Sequence, residues 1–182
     1  MLEADTRNFI TQEEYYRLRE TKLKGPNGWL LFFATQSGYP RAQRVVDMYN
    51  SLLYRTDSGK QAVLIHQRDD GTPIIKTHED METNPRLPTH VAGSNIFLFS
   101  DPHSRQSGIV VNDEIYRTMQ LVYTLKVHGA GRVSVVMPYM AYSRAERTSY
   151  LKREAAQSEL FGKLLLSSGV DSIITYHLHN DA

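Results

Sequence analysis

The sequence contains no cysteine, which excludes disulfide bonds, thiolate metal ligands and cysteine nucleophiles. It has no hydrophobic run of the roughly 18 residues that a membrane-spanning helix needs, and its first residues, Met1 to Asp5, are acidic where a targeting signal would be basic. It has little net charge, because 21 Lys+Arg stand against 20 Asp+Glu and leave a formal charge of +1. A chain with so little net charge creates no electrostatic field that attracts nucleic acid or an anionic membrane, and we expect neither as a partner. We also expect a cytoplasmic location.

Phosphate-binding glycine loops are also absent. Neither the Gly-x-Gly-x-x-Gly spacing nor the Gly-x4-Gly-Lys-Ser/Thr spacing occurs, so any nucleotide would have to be bound by side chains. What the sequence does have is an ordinary globular composition, with 41% hydrophobic and 23% charged residues in a chain of 182. This length and composition suit a folded domain with a single core.

Short apolar runs alternate along the chain with helical patterns. The runs predict buried strands at residues 29–34, 62–65, 96–99, 133–137 and 172–176. Three helices are predicted between them. The first has an apolar stripe at Val45, Met48, Tyr49 and Leu52, the second has an apolar face at Ile115, Met119, Val122 and Leu125, and the third is marked by Leu160, Phe161, Leu164 and Leu165. This alternation predicts an α/β protein, a three-layer α/β/α sandwich with a mostly parallel sheet of about five strands. Its ligands should lie beyond the carboxyl ends of the strands, in the loops after Phe99, Met137 and Tyr176.

The loop after the strand at 133–137 has the clearest potential for binding an anion. Arg144 and Arg147 lie three residues apart there and can bind phosphate oxygens bidentately, while Tyr142 can stack on a flat ring. The same residues also fit a solvated surface loop with an Arg–Glu ion pair, because such pairs are common on protein surfaces.

Two further pairs of polar residues have the spacing of candidate sites. His177 and His179 would lie on one face of an extended strand, which is compatible with a metal pair, although hydrogen-bonded or solvated histidines are the simpler explanation of the spacing. Asp80 and Glu82 are typical of a solvated turn unless Mg²⁺ or a ribose lies beside them.

Residues 132–147 carry a specific resemblance. The segment Arg132-Val-Ser-Val-Val-Met-Pro-Tyr-Met-Ala-Tyr-Ser-Arg-Ala-Glu-Arg147 resembles the pattern Arg-Ile-Thr-x-Val-Ile-Pro-Tyr-Phe-x-Tyr-Ala-Arg-Gln-Asp-Arg of the ribose-phosphate pyrophosphokinase family. The resemblance extends to Val111-Asn112-Asp113 upstream and to the segment from Gly169 to His179 downstream. It covers about residues 76 to 179, with a weaker match from Trp29.

This resemblance implies a phosphoribosyltransferase-like fold and the transfer of diphosphate from ATP to C1 of ribose 5-phosphate, with Mg²⁺. It implies that Arg144 and Arg147 bind the ATP phosphates and that His179 positions the Mg²⁺-nucleotide. It also implies that a neighbouring subunit of a homo-oligomer supplies His78, Asp80 and Glu82, which contact adenine or ribose in a composite ATP site. The sequence departs from the family pattern at His78, Ala145, Glu146 and His177.

The resemblance also suggests a domain organisation. We expect residues 1–28 to be an amino-terminal extension with a helix that begins at the Thr11-x-x-Glu14 capping box. Residues 29–182 would be the amino-terminal domain of a ribose-phosphate pyrophosphokinase-like protein. Because a family member would continue past Ala182 with a carboxy-terminal catalytic half, we expect this chain alone to be inactive. One alternative is a non-catalytic or regulatory subunit with a drifted nucleotide site, and another is a metal hydrolase built on His177 and His179.

Overall fold

The computed structural model describes residues 24–25, 28–54, 64–68, 73–105 and 107–178. The helix expected after Thr11, the first part of the strand expected at 62–65, and His179 lie outside these residues. The elements in chain order are β1 (Lys24–Gly25), β2 (Gly28–Ala34), α1 (Tyr39–Tyr54), β3 (Ile75–Thr77), β4 (Thr83–Pro85), β5 (Asn95–Phe99), α2 (Val111–Val127), β6 (Arg132–Val136), α3 (Gln157–Ser168) and β7 (Ser172–Ile174).

The main sheet has five strands in the order β1-β2-β5-β6-β7. The last four are parallel to one another, and the short β1 pairs antiparallel with β2. A separate two-stranded sheet is formed by β3 and β4. The α/β sandwich with a mostly parallel sheet is therefore confirmed. Of the strand expected at 62–65, the described part makes only an isolated parallel bridge from Ile65 to Phe32.

Both faces of the sheet are apolar, which explains why its strands are continuous hydrophobic runs rather than alternating ones. On one face the odd-numbered residues of β2 and β6, such as Leu31 and Val133, pack with α2 and α3, and this core includes Leu121, Leu125, Phe161 and Leu165. On the other face Phe32, Phe99 and Val136 pack against α1. Gly169 ends α3 in the left-handed conformation, with a φ of 97°.

The inner face of α1 differs from the sequence expectation. Its buried side chains are Ala42 and Val46, whereas Met48 and Leu52 are 68% and 55% exposed. Of the predicted stripe, Tyr49 packs against the core, with its ring 6.3 Å from that of Phe32. The helix is rotated relative to this prediction because the small Ala42 side chain allows it to approach the sheet closely. Its sequence has apolar residues on two neighbouring stripes, which does not by itself determine which stripe faces the core.

The direction of the chain reverses between β2 and β5. From β2 the chain passes through α1 to Ile65 on one side, whereas from β5 it passes through α2 to β6 on the other, so the crevice beyond these two strands is a topological switch point. Such a crevice is the usual ligand site of an open α/β sheet. A buried polar cluster lies at this end of the sheet, where the hydroxyls of Ser37 and Ser100 both donate to Oε1 of Glu114, which is fully buried.

Candidate functional site

The loop that follows β6 surrounds a cavity of about 480 Å³. It is held in place from the neighbouring strand, because the backbone N–H of Met137 donates to the carbonyl of Ile174 at 2.9 Å. The backbone N–H of His177 similarly donates to the carbonyl of Pro138 at 3.1 Å. The loop therefore lies at the carboxyl edge of the parallel sheet, which is where ligands of such sheets bind.

Aromatic and polar side chains line this cavity together with one guanidinium group. The lining residues are His103, Val111, Tyr139, Tyr142, Ser143, Arg144 and Ala145. Tyr142 has a positive φ of 60° and donates its hydroxyl to Oδ1 of Asn112 at 2.5 Å. This contact ties the loop to the first turn of α2 and fixes one wall of the cavity.

Two hydroxyls of the cavity wall are buried without a completed hydrogen bond, those of Tyr139 and Ser143. The Ser143 hydroxyl lowers the pKa of Tyr139, partial burial opposes this effect, and the Arg144 guanidinium lowers the pKa further. The Tyr139 ring also meets the His103 ring edge-on, with 4.7 Å between centroids. Buried hydroxyls normally have partners, so both hydroxyls have hydrogen-bonding capacity left for a further group at this wall.

The two arginines of the loop are both exposed, and one of them borders the cavity. Arg144 lines the cavity. The Arg147 side chain is 79% exposed, and its Nε lies 3.6 Å from Oε1 of Glu146, its sequence neighbour. The binding of phosphate by these arginines stays a prediction.

The predicted residues His78, Asp80 and Glu82 form the turn between β3 and β4. The N–H of His78 donates to the carbonyl of Glu82 at 2.8 Å, and Oδ1 of Asp80 accepts from the N–H of Glu82 at 3.0 Å. All three side chains are exposed. Hydrogen bonds between Thr83 and Gln120 dock this hairpin onto α2.

Within one chain the hairpin residues and the Arg144 loop belong to separate cavities. Glu82 lines a cavity of about 400 Å³ together with Met81, Thr83, Asp113, Tyr116, Arg117 and Gln120. None of these residues lines the Arg144 cavity. The first turn of α2 borders both, since Asn112 contacts Tyr142 and Asp113 lines the second cavity with Glu82.

The metal site considered at His177 and His179 involves residues that the structure describes only in part. His179 lies outside the described residues, and His177 makes a bridge to Tyr139 rather than continuing β7, which ends at Ile174. Among the described ranges, no group of three His, Asp or Glu side chains could hold a metal ion. Mg²⁺ prefers oxygen ligands, and His177 replaces a carboxylate of the family pattern. The described residues therefore do not fit a Mg²⁺ ion held by the protein itself.

Sequence reasoning identified Arg144 and Tyr142 but missed three lining residues. Tyr139 and Ser143 lie in the same loop, and their signal was that a phenol and a hydroxyl follow directly after a buried strand. His103 comes from the loop after β5, and nothing in its local sequence indicated that it would meet the β6 loop.

No helix in the described part of the chain is both long enough and apolar enough to cross a membrane.

Comparisons with known proteins agree with the resemblance in the sequence. Residues 64–169 match the model of the N-terminal domain of ribose phosphate pyrophosphokinase. Ribose-phosphate pyrophosphokinase 1 of Streptococcus mutans is 31% identical over 109 residues, which is 60% of this chain and 32% of that protein. The Streptococcus agalactiae protein of the same name is 29% identical over 134 residues, which is 71% of this chain and 40% of that protein.

The fold has a counterpart among solved structures. The crystal structure of phosphoribosylpyrophosphate synthetase from Mycobacterium smegmatis superimposes with a TM-score of 0.66 and 20% identity, covering 84% of this chain and 43% of that one. The chain thus spans about a third to two fifths of the length of the curated relatives it matches. The family model covers more than half of the chain, and the chain therefore belongs to the ribose-phosphate pyrophosphokinase family through its amino-terminal domain.

Proposed function

We propose that this domain provides the nucleotide-binding part of a ribose-phosphate diphosphokinase. The reaction transfers the β,γ-diphosphoryl group of ATP to the C1 hydroxyl of ribose 5-phosphate and releases AMP. Membership of the family and the names of the relatives support this proposal. A cytoplasmic location is part of the proposal.

The observation that carries the proposal is the cavity beside Arg144. It combines a guanidinium group, two buried hydroxyls without partners and the ring of Tyr142 within one wall. A guanidinium binds two phosphate oxygens at once, and hydroxyls in a partly dehydrated wall donate to a third. The arrangement suits the binding and positioning of a triphosphate, and positioning together with charge stabilisation is the main contribution of a protein to phosphoryl transfer.

Assembly completes the proposed site. Asp80 and Glu82 are exposed and share no cavity with Arg144 in one chain. We propose that the hairpin of a second copy brings its own Asp80 and Glu82 to the Arg144 cavity, so that adenine and ribose are bound between subunits. Self-association in sedimentation velocity supports this arrangement, and a strictly monomeric chain at high concentration contradicts it.

Calorimetry of Mg²⁺-ATP binding tests the phosphate role. Replacing Arg144 and Arg147 together with alanine removes charge-assisted hydrogen bonds worth about 1.5–3 kcal/mol each, so affinity should fall at least about tenfold. Arg105→Ala is the matched control, because Arg105 is exposed and lies outside the cavity lining. Unchanged affinity in a chain that does bind Mg²⁺-ATP would exclude Arg144 as a phosphate ligand.

A second candidate function is a non-catalytic family subunit. The pairing of Arg147 with Glu146 and the His177 imidazole at the position of a carboxylate favour it. If the chain is a non-catalytic subunit, Mg²⁺-ATP should not bind to its dimer. If the chain is part of a diphosphokinase, Mg²⁺-ATP should bind, and the binding should depend on Arg144.

A further inference from the structure

A separate cavity of about 270 Å³ lies beyond the carboxyl end of β2. Its walls are mostly apolar, and the apolar lining comes from Ala34, Pro40, Ile65, Pro73, Ile74 and Ile75. The amides of Gln36 and Gln67 lie on the same lining, and both of these residues are exposed. The cavity therefore has an apolar interior, with neutral hydrogen-bonding groups on its solvent-exposed side.

The one charged residue on this lining is Arg117, which α2 projects into it. Arg117 is half-buried, its Nη2 donates to Oγ1 of the exposed Thr77 at 3.2 Å, and its Nε is buried without a hydrogen-bond partner. In the part of the chain that the structure describes, it forms no ion pair. A half-buried guanidinium has lost part of its hydration, and an anion that pairs with it offsets that loss.

Three carboxylates of the surrounding segments do not form an ion pair with Arg117. Glu114, one turn earlier in α2, accepts hydrogen bonds from Ser37 and Ser100 through Oε1, and its Oε2 is buried without a hydrogen-bond partner. Glu82 and Asp113 line the neighbouring cavity with Arg117 but form no ion pair with it. The fold thus leaves the positive charge of Arg117 available on the apolar cavity.

The size of the cavity limits its ligand. A cavity of about 150 Å³ lined by apolar side chains holds a benzene ring, and drug-sized ligands need roughly 300 Å³ or more. A volume of about 270 Å³ therefore suits one substituted ring. A sugar phosphate or a triphosphate fits poorly, because many of its polar groups would face isoleucine and proline.

We propose that this cavity binds a small organic anion, whose flat apolar body lies among Ile65, Ile74 and Ile75 and whose carboxylate or phosphate group pairs with Arg117. The cavity shares no lining residue with the Arg144 cavity. It is a second binding site, and its occupation does not depend on the proposed nucleotide site.

Titration of the 182-residue chain with three probes, followed by NMR, tests the site. The probes are benzoate, phenyl phosphate and benzyl alcohol, which share a ring and differ in the head group. At least one anion should bind at least about tenfold more tightly than the neutral alcohol, because only an anion gains the charge-assisted pair. The comparison of the two anions identifies the preferred head group.

The same spectra show where the probe binds. Methyl signals of Ile65 and Ile75 should shift on titration, while that of Ala141, which is buried next to the Arg144 loop, should not. Arg117→Gln should abolish the preference for the anion, and Arg117→Lys should weaken it. Arg132→Gln is the control, because Arg132 is exposed and lies outside this cavity.

Three results would overturn the proposal. They are equal affinity for benzyl alcohol and both anions, unchanged anion affinity in a folded Arg117→Gln variant, and no shift at Ile65 or Ile75 up to the solubility limit of the probes. The first comparison uses the unmodified chain, so it decides the matter even if the Arg117 variants do not fold.

Discussion

Gly38 should be irreplaceable even by alanine, because the turn between β2 and α1 lies directly against the end of β5. A Cβ atom on Gly38 would lie 2.1 Å from the carbonyl oxygen of Phe99, 2.4 Å from its carbonyl carbon and 2.7 Å from the nitrogen of Ser100. All three are backbone atoms, so no side chain can rotate away. Ordinary van der Waals separation requires the two segments to move apart by more than about 1 Å.

Several hydrogen bonds oppose that movement. The N–H of Thr35 donates to the Phe99 carbonyl at 3.0 Å, and its hydroxyl donates to the same oxygen at 3.2 Å. The N–H of Asp101 donates to the hydroxyl of Ser37 at 3.1 Å. Overpacking typically costs about 1–3 kcal/mol, and weakening these bonds adds about 1 kcal/mol each at most, so we expect a loss of about 3–5 kcal/mol.

Thermal unfolding followed by circular dichroism measures this loss. At about 2–4 °C per kcal/mol for a chain of this size, Gly38→Ala should lower the Tm by about 6–20 °C. Gly162→Ala is the matched control, because Gly162 lies inside α3 and a Cβ there meets nothing within 4 Å. It should instead stabilise the protein by about 0.5–1 kcal/mol, since alanine is the better helix former. A Gly38→Ala variant as stable as the unmodified chain would refute the packing of this turn against β5.

Two further predictions concern ionisation. Burial raises the pKa of Asp171, but the N–H of Val133 at 2.6 Å and the ammonium group of Lys126 at 3.1 Å outweigh burial and lower the pKa below its ordinary value of 3.8. The ionised Asp171 therefore contributes its full stabilisation at a pH above this ordinary value, and that contribution is lost as the pH falls through the folded-state pKa. Asp171→Asn should consequently flatten the acid limb of a plot of the free energy of unfolding against pH. The Ser143 hydroxyl is the main influence that lowers the pKa of Tyr139. Ser143→Ala should raise that pKa in a tyrosinate absorbance titration, with Tyr139→Phe identifying the signal, and an unchanged titration would contradict the contact.

A strand or helix could be predicted from the sequence where its pattern is confined to a few consecutive residues. The runs that form β2, β5 and β6 are mostly apolar on both faces, with Asn95, Arg132 and Ser134 as polar exceptions, and that is a property of a few consecutive residues. The stripe at Ile115, Val122 and Leu125 in α2 repeats with the helical period and faces the core as expected. In α1 the same reasoning selected the wrong face, because the close contact of Ala42 with the sheet depends on what lies beneath the helix.

The hairpin of β3 and β4 shows a second limit of prediction from the sequence. Two prolines between Asn84 and Pro88 are typical of an irregular stretch, yet Pro85 is the last residue of β4 and pairs with Ile75. A proline at the end of an edge strand needs no donor N–H there, so the pairing survives. The register of β4 is set by its pairing with β3, and a search of the sequence for turn residues carries no information about that pairing.

The family, the mostly parallel α/β fold and the loop that carries Arg144 could be predicted from the sequence, because motif spacing and hydrophobic periodicity are local properties of the chain. The packing of distant segments was needed to show that the exposed Arg144 lines a cavity with His103 while Arg147 lies beside Glu146 outside that lining, and that Arg117 lines an apolar cavity without a carboxylate partner. The physical reason is that the charge and the hydrogen-bonding capacity of a side chain are fixed by its type, whereas its partners are fixed by segments that are far apart in sequence and that meet only when the sheet and its helices pack.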